Sequence, residues 1–268
     1  METVGHTGSA AAATTIISRW AKALARPQPW PSGALTVPRL QAHRGYWLGG
    51  AQENTMAAFS EAQRMGARMI ELDVRLSKDL IPVVYHDEDL GRFSGPSGGR
   101  TLLSNLTAKE ISQSVGAPTL AEVLNSTQIT AKINIELKTT RILNESLERR
   151  VLREIDRSNA WDRVLISSFN PFSLWRISLM TDRLPLALLV AEDMEYQILR
   201  ELWLLPFLKF HLLHLSQAMA SPEVLSYWRS KGVPVAVWTV NDAAQAAALL
   251  EGGCLSIISD NIFSELNA

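Results

Sequence analysis

From residue 39 onward, apolar and polar positions along the chain follow two alternating periods. Short extended runs with side chains repeating every second position close at Gln41-Ala42-His43. They recur over 69–74, 82–86, 132–138, 163–168, 185–191, 211–215, 234–240 and 255–259. Between them, apolar residues fall at the spacing of a helix face, which predicts helices over 54–66, 119–127, 142–158, 171–182, 194–209, 221–231 and 242–251, with a shorter one near 107–113. The first of these shows the logic. Asn54-Thr55 caps it, Met56, Phe59, Ala62 and Met65 form one apolar stripe, and Gly66 ends it. Strands alternating with helices predict a parallel sheet covered by helices.

Three stretches break the rhythm. Residues 1–38 form an N-terminal extension. Its first 15 residues are small and polar, and Ile16, Ile17, Trp20, Leu24 and the alanines give 14–25 a helical stripe that should dock on the main body. Pro27, Pro29 and Pro31 then make 27–38 a proline-rich linker. Residues 88–118 hold Gly91, Gly95, Pro96, Gly98 and Gly99 and read as a surface insertion; because it follows His86-Asp87, it is expected to roof a site there. Residues 198–215 are strongly apolar, but Arg200, Glu201, Pro206 and Lys209 interrupt them too often for a membrane-spanning helix. They read as a helix running into a buried strand, or as an apolar lip that makes a weak contact with lipid or a second subunit, in a monomer or homodimer.

Composition narrows the class. The chain has 268 residues, 47% of them apolar, enough for one α/β barrel or two small domains. Lys+Arg 26 against Asp+Glu 27 gives a net charge of −1, which offers nothing to attract nucleic acid or an anionic membrane. One cysteine, Cys254, forms no intrachain disulfide and reads as a core residue. The start of the sequence lacks a basic segment followed by an apolar one, so no secretory signal is read and a cytoplasmic location is expected.

The chemistry gathers at strand ends. On run 69–74, Glu71 and Asp73 share one face and Ile70, Leu72 and Val74 the other. On run 132–138, Asn134, Glu136 and Lys138 oppose Ile133, Ile135 and Leu137. His43 and His86 each close an extended run. Polar groups delivered by several strand ends are how an α/β barrel builds a site, with the polar faces pointing into its mouth. The nine extended runs exceed the eight places of such a barrel, and the hairpin-like 69–86, turning at Ser77-Lys78-Asp79, is the candidate to supply two runs to one place. Three inward carboxylates, Glu71, Asp73 and Glu136, suit a hard divalent cation with oxygen ligands and not zinc. Arg44 and Lys138 add positive charge for an anion, and His43 with His86 forms an acid–base pair. Together these spell phosphate ester chemistry. The bland alternative is a structural ion-pair cluster. Trp238, on the face of Ala236 and Val240, is expected to wall the pocket, with Phe169 in a similar place. Asn134 either orients a ligand or bonds a neighbouring loop. His211 and His214 read as core or surface.

Taken in order, His43-Arg44-Gly45, Glu53-Asn54-Thr55 with Ala58-Phe59, Glu71-Leu72-Asp73-Val74, Lys78-Asp79, Pro82-Val83-Val84, His86-Asp87, Pro118-Thr119-Leu120 with Glu122, Asn134-Ile135-Glu136-Leu137-Lys138, Ser167-Ser168-Phe169 and Val237-Trp238-Thr239-Val240-Asn241 resemble the glycerophosphodiester phosphodiesterases. The resemblance implies a (β/α)8 TIM barrel over 39–268 with a small insertion, at 88–118, after the second or third extended segment. It implies catalytic His43 and His86. It also implies one divalent cation, Mg²⁺ or Ca²⁺ with Mn²⁺ a further candidate, on Glu71, Asp73 and Glu136. Arg44, Lys138, Asn134, Trp238 and Phe169 would contact a small glycerophosphodiester such as glycerophosphocholine or glycerophosphoethanolamine, yielding glycerol 3-phosphate and an alcohol. The chain departs from the family at Gln52, where a proline is usual, and at Ser259-Asp260-Asn261-Ile262, where the family closes with Thr-Asp-x-Pro. Loop 46–52, with Tyr46 and Trp47, could shape the pocket. Two alternatives stay open: a lysophospholipase D-type enzyme acting on lysophospholipids, and a non-catalytic barrel that binds a phosphate ligand.

Overall fold

The computed structural model of the chain describes residues 18–92, 100–139 and 144–263. The polar tail with His6, Ile16 and Ile17 of the predicted N-terminal stripe, Gly95, Pro96, Gly98 and Gly99 of the insertion, and the start of the helix predicted from 142 lie outside them.

The described strands form one sheet: β1 (Leu40–His43), β2 (Met69–Leu76), β3 (Pro82–Val84), β4 (Lys132–Leu137), β5 (Val164–Ser168), β6 (Leu186–Val190), β7 (Leu212–Ser216), β8 (Val235–Trp238) and β9 (Ser256–Ser259). All neighbours are parallel except β2 and β3, and pairing of β1 with both β9 and β2 closes eight parallel strands into a barrel. The surplus strand is β3. A strand has two edges, and β4 occupies one edge of β2 from Met69 to Val74. β1 takes the other edge at Ile70 and Glu71, and β3 continues along it at Val74, Arg75 and Leu76. So β3 is a hairpin partner above the barrel and not one of its staves. That pairing carries β2 beyond the predicted 69–74, while β3 itself stops at Val84.

Parallel strands buried on both faces need an apolar outer face for the helices. Ile70, Leu72 and Val74 of β2 and Ile133, Ile135 and Leu137 of β4 meet Phe59 and Ala62 of α2 (Met56–Arg64) and Val151 and Ile155 of α5 (Ser146–Arg157) in one core. Each such aliphatic side chain contributes about 1.5–3 kcal/mol by leaving water. The inner faces differ. At the bottom, Met69, Leu165, Ala187 and Leu212 close the barrel together with Leu35, with Trp30 and Val37 packed against them. The proline-rich stretch is therefore a seal and not a linker. It is tied on by Gln28 N–H donating to the Phe210 carbonyl (2.7 Å) and by Lys132 Nζ donating to the Thr36 carbonyl (2.7 Å).

Helix α1 (residues 18–24) docks through alanines of the predicted stripe and not through its large side chains. Ala21 and Ala25 are buried, whereas Trp20 is 57% and Leu24 44% exposed. Small side chains let the helix lie close to the barrel in a densely packed contact. The helix predicted over 194–209 is broken into α7 (Gln197–Arg200) and a 3₁₀ turn (Leu205–Phe207). Leu202 takes φ 61°, and Trp203 N–H reaches back to the Ile198 carbonyl at 3.0 Å, a helix-ending arrangement. Pro206 then has no N–H to continue it. The apolar spacing misleads here because Leu202 and Leu205 are buried from a loop. In the insertion, α3 (Ala108–Val115) starts at a Thr107–Glu110 capping box. Its Ile111 and Val115 pack with Leu103 on Val83 and Tyr85, beside the hairpin.

Candidate active site

A cavity of about 420 Å³ opens at the carboxyl ends of the strands. Nine of the ten residues singled out from the sequence line it: His43, Arg44, Glu71, His86, Asn134, Glu136, Lys138, Phe169 and Trp238. The tenth, Asp73, is buried beside them, and Glu71, Asp73 and Glu136 each offer a carboxylate oxygen within 4.8 Å of the others. None of the insertion's described residues lines the cavity, so these do not form the expected roof.

Register creates the carboxylate cluster. Asn134 pairs with Glu71 across β2 and β4, and Glu136 pairs with Asp73, so one inward face carries both rows. Asn54 holds Asp73 from the side: its Nδ2 donates to Asp73 Oδ2 (2.8 Å) and its Oδ1 accepts from Asp73 N–H (3.3 Å). The predicted helix cap is thus Thr55 alone, while Asn54, at φ 56°, is turned to the site. Lys138 Nζ lies 2.6 Å from Glu136 Oε1 and 3.1 Å from Asp73 Oδ1. Arg44 Nε lies 3.2 Å from Asp73 Oδ2, and its Nη1 donates to Glu53 at 3.0 Å. Gly45, at φ 85°, lets the chain turn there, since a Cβ would stand 2.7 Å from the Ala58 carbonyl carbon.

The charges are unevenly compensated. Burial, and then Asp73, pushes Glu71 up to about 8. Burial alone would raise Asp73 too, but Lys138 and Arg44 outweigh it and hold that carboxyl well below its ordinary range. Burial raises Glu136 against the pull of Lys138. A crowded, buried, all-oxygen set in which one member keeps its proton fits a hard divalent cation, which replaces the proton.

Each histidine has a carboxylate on its inner nitrogen. His43 Nδ1 is 2.7 Å from Asp260 Oδ1, and Asn241 holds Asp260 through Nδ2–H to Oδ2 (2.7 Å). His86 Nδ1 is 2.7 Å from Asp87 Oδ1, and Arg92 Nε pairs with Asp87 Oδ2 at 2.7 Å. Such a partner makes Nδ1–H the donor and leaves Nε2 as the basic nitrogen of the neutral ring. The two rings shift in opposite directions. Burial works to lower His43, but the Asp260 hydrogen bond and the Glu71 charge outweigh it and raise its pKa. Burial lowers His86, with Lys138 and Arg44 adding to it against Asp73.

Phe169 and Trp238 meet edge to face at 5.4 Å and form one wall, with Lys138 Nζ 5.7 Å from the Phe169 ring centre. Asn134 is committed inside the barrel. Its Nδ2 donates to Gln41 (3.0 Å) and its Oδ1 accepts from Ser167 (2.9 Å), so it bonds neighbouring strands and not a loop. His211 is core: its Nδ1 accepts from Leu186 N–H at 2.9 Å.

Residues 42–263 match the Glycerophosphoryl diester phosphodiesterase family. The chain belongs to that family. Among its relatives, a glycerophosphodiester phosphodiesterase of Caldanaerobacter subterraneus subsp. tengcongensis is 32% identical over 237 residues, covering 82% of this chain and 93% of the relative. One of Bacillus altitudinis is 32% identical over 238 residues, covering 84% and 95%. A solved Oleispira antarctica phosphodiesterase in complex with the product sn-glycerol-3-phosphate is 28% identical, covers 84% of this chain and 93% of its own, and superposes with a TM-score of 0.70. As a glycerophosphoryl diester phosphodiesterase the chain is a phosphoric diester hydrolase.

Sequence reasoning left out four polar residues that the structure brings to this family site: Asp260, Asn241, Asp87 and the side chain of Asn54. Asp260 stood in plain view, since it is kept from the closing Thr-Asp-x-Pro pattern while the threonine and proline around it are exchanged.

Proposed function

We propose that the chain hydrolyses glycerophosphodiesters, glycerophosphocholine and glycerophosphoethanolamine among them, to glycerol 3-phosphate and an alcohol. The supporting observation is one cavity that holds two carboxylate-backed histidines, a buried carboxylate triad and two fixed cations. One of His43 and His86 takes the proton of the glycerol C2 hydroxyl, whose oxygen attacks phosphorus. The other gives a proton to the departing alcohol. Water then opens the cyclic phosphate with the two roles reversed. Each proton transfer is worth about 10²–10⁴-fold. Arg44 and Lys138 stabilise charge on the phosphoryl oxygens. Glu71, Asp73 and Glu136 would hold a divalent cation, Mg²⁺ or Ca²⁺ with Mn²⁺ a further candidate, which supplies Lewis-acid polarisation of the phosphate when bound.

The segment behind Phe169 offers no berth for an acyl chain, while Leu189, Ala191, Met194, Tyr196 and Leu199 line the open cavity and keep lysophospholipids among the substrates to be tested. Behind Phe169, the side chains of Leu188, Met194, Ile198, Leu199, Leu202, Leu205 and Leu208 leave a void of about 10 Å³. That is room for one water at most and not for an acyl chain. Among the described residues no helix is long and apolar enough to cross a membrane.

The test is release of glycerol 3-phosphate from a panel of glycerophosphodiesters and lysophospholipids with Mg²⁺ or Ca²⁺, together with a diester whose C2 hydroxyl is replaced by hydrogen. Turnover of the natural diesters with none of the deoxy compound is expected. No turnover of any glycerophosphodiester overturns the reading. Brisk hydrolysis of the deoxy compound overturns the internal attack.

A further inference from the structure

His86 is held differently from His43. His43 ends β1, a stave of the barrel, whereas His86 follows β3, which among the described strands pairs with β2 alone. Closure of the barrel therefore does not fix where His86 stands. Its carbonyl accepts from Arg75 Nε at 2.8 Å, which ties the backbone. Its ring is tied by Asp87, and Asp87 is the end of a longer row.

That row alternates in sign without a gap. Arg92 spans two carboxylates, with Nε on Asp87 Oδ2 at 2.7 Å and Nη2 on Glu53 Oε1. The same Glu53 oxygen accepts from Arg44 Nη1 at 3.0 Å. Arg44 Nε lies 3.2 Å from Asp73 Oδ2, and Lys138 then joins Asp73 to Glu136. The row thus runs from the back of His86 to the carboxylate triad. Its first members, Asp87, Arg92 and Glu53, are not among the residues that line the cavity. Stability does not account for them. Exposed ion pairs contribute little, and exchanging buried ones for apolar groups of the same size is often neutral or stabilising. What such a row does add is a fixed spacing for the groups at its ends.

We propose that Glu53 and Arg92 are positioning residues, which lock the His86 ring in register with Arg44 and the carboxylate triad. The insertion serves the reaction through Arg92, by orienting a histidine from behind. This rests on the role given to His86 in the functional reading above. A misplacement of about 1 Å costs on the order of 10²-fold in rate.

The test uses Arg92→Met, which keeps the stem and removes the fork, and Glu53→Gln, which keeps the shape and removes the charge. The substrate is glycerophosphocholine with Mg²⁺. Each variant should lower kcat at least about tenfold. Arg92→Met should leave KM within about threefold, since Arg44 and Lys138 remain to hold the phosphate. In a His86→Ala background, Arg92→Met should cost less than about twofold, because no ring is left to place. An equal loss in both backgrounds means a merely structural role and overturns the proposal, as does a kcat near wild type for either variant.

A second measurement needs no turnover. NMR of protein labelled at its 5 histidines follows each ring, with the His86 signal identified by its loss in His86→Ala. Arg92→Met and Glu53→Gln should move the His86 signal and leave those of His211 and His214, which are buried in the barrel, in place. An unmoved His86 signal overturns the proposal. So do shifts of His211 and His214 along with it, which report a defect of the whole fold. If no glycerophosphodiester turns over, the functional reading has failed separately, and this measurement alone decides whether the row places His86.

Discussion

His43 Nδ1 meets Asp260 Oδ1 at 2.7 Å across 217 positions of sequence. The first and last strands are neighbours only because the barrel closes, so this contact exists only in the closed barrel. Asp260→Asn keeps the shape and removes the charge. It should lower kcat/KM about 10- to 100-fold, the usual effect of losing a supporting carboxylate. Asp260 helps raise the His43 pKa, so the limb of the pH–rate profile that reports His43 should move to lower pH.

The carboxylate triad predicts dependence on a cation. Excess chelator should abolish turnover, and Mg²⁺, Ca²⁺ or Mn²⁺ should restore it. Metal at about 100 times its Kd should add about 2.7 kcal/mol of stability to the wild type. Glu136→Gln should show little of that stabilisation while still folding. Thermal melts with and without metal read this directly, and full activity in chelator would refute it.

His43→Ala and His86→Ala should each remove most of kcat with the fold intact. The double variant should be little worse than either, because residues acting as a unit are not additive. Steady-state kinetics with circular dichroism as a folding control is the measurement.

Asn54 carries two demands, a left-handed backbone at φ 56° and the clamp on Asp73. Asn54→Ala fails both and should cost about 1–3 kcal/mol in denaturant unfolding. Asn54→Gly meets the backbone demand, so it should be the more stable variant of the two while weakening cation affinity equally.

Acid should unfold the protein through its buried histidines. Burial lowers His211 to about 4 and His214 to about 3, against about 6.5 in an unfolded chain. The unfolded state then binds more protons between those values. Stability is whole above pH 6.5 and falls as the pH drops toward 4, by up to about 1.4 kcal/mol per pH unit for each ring. Unfolding free energies from pH 7.5 to 4.5 check this, and His211→Gln should flatten the slope.

The barrel and its triad were legible because strand side chains obey a strict period of two. Glu71 and Asp73 against Ile70 and Leu72 define which face is inward, and the helices follow. What was not legible depends on distance or on small differences in packing. Asp260 gives no local sign that it will meet His43, nor Asn54 that it will turn away from its helix. The apolar spacing of 194–209 was real, but Leu202 and Leu205 satisfy it from a broken segment. The stripe on α1 held Trp20, Leu24 and the alanines alike, and the close fit buries Ala21 and Ala25 while leaving Trp20 and Leu24 exposed. The identities of the nine lining residues could be read in advance; the hydrogen bonds that aim them could not.

Leu35 and its neighbours stopper the lower end of the barrel, and this fixes the traffic of molecules. With that end filled, entry and exit share the face at the carboxyl ends of the strands, so anything that crowds that face hinders both arrival and departure.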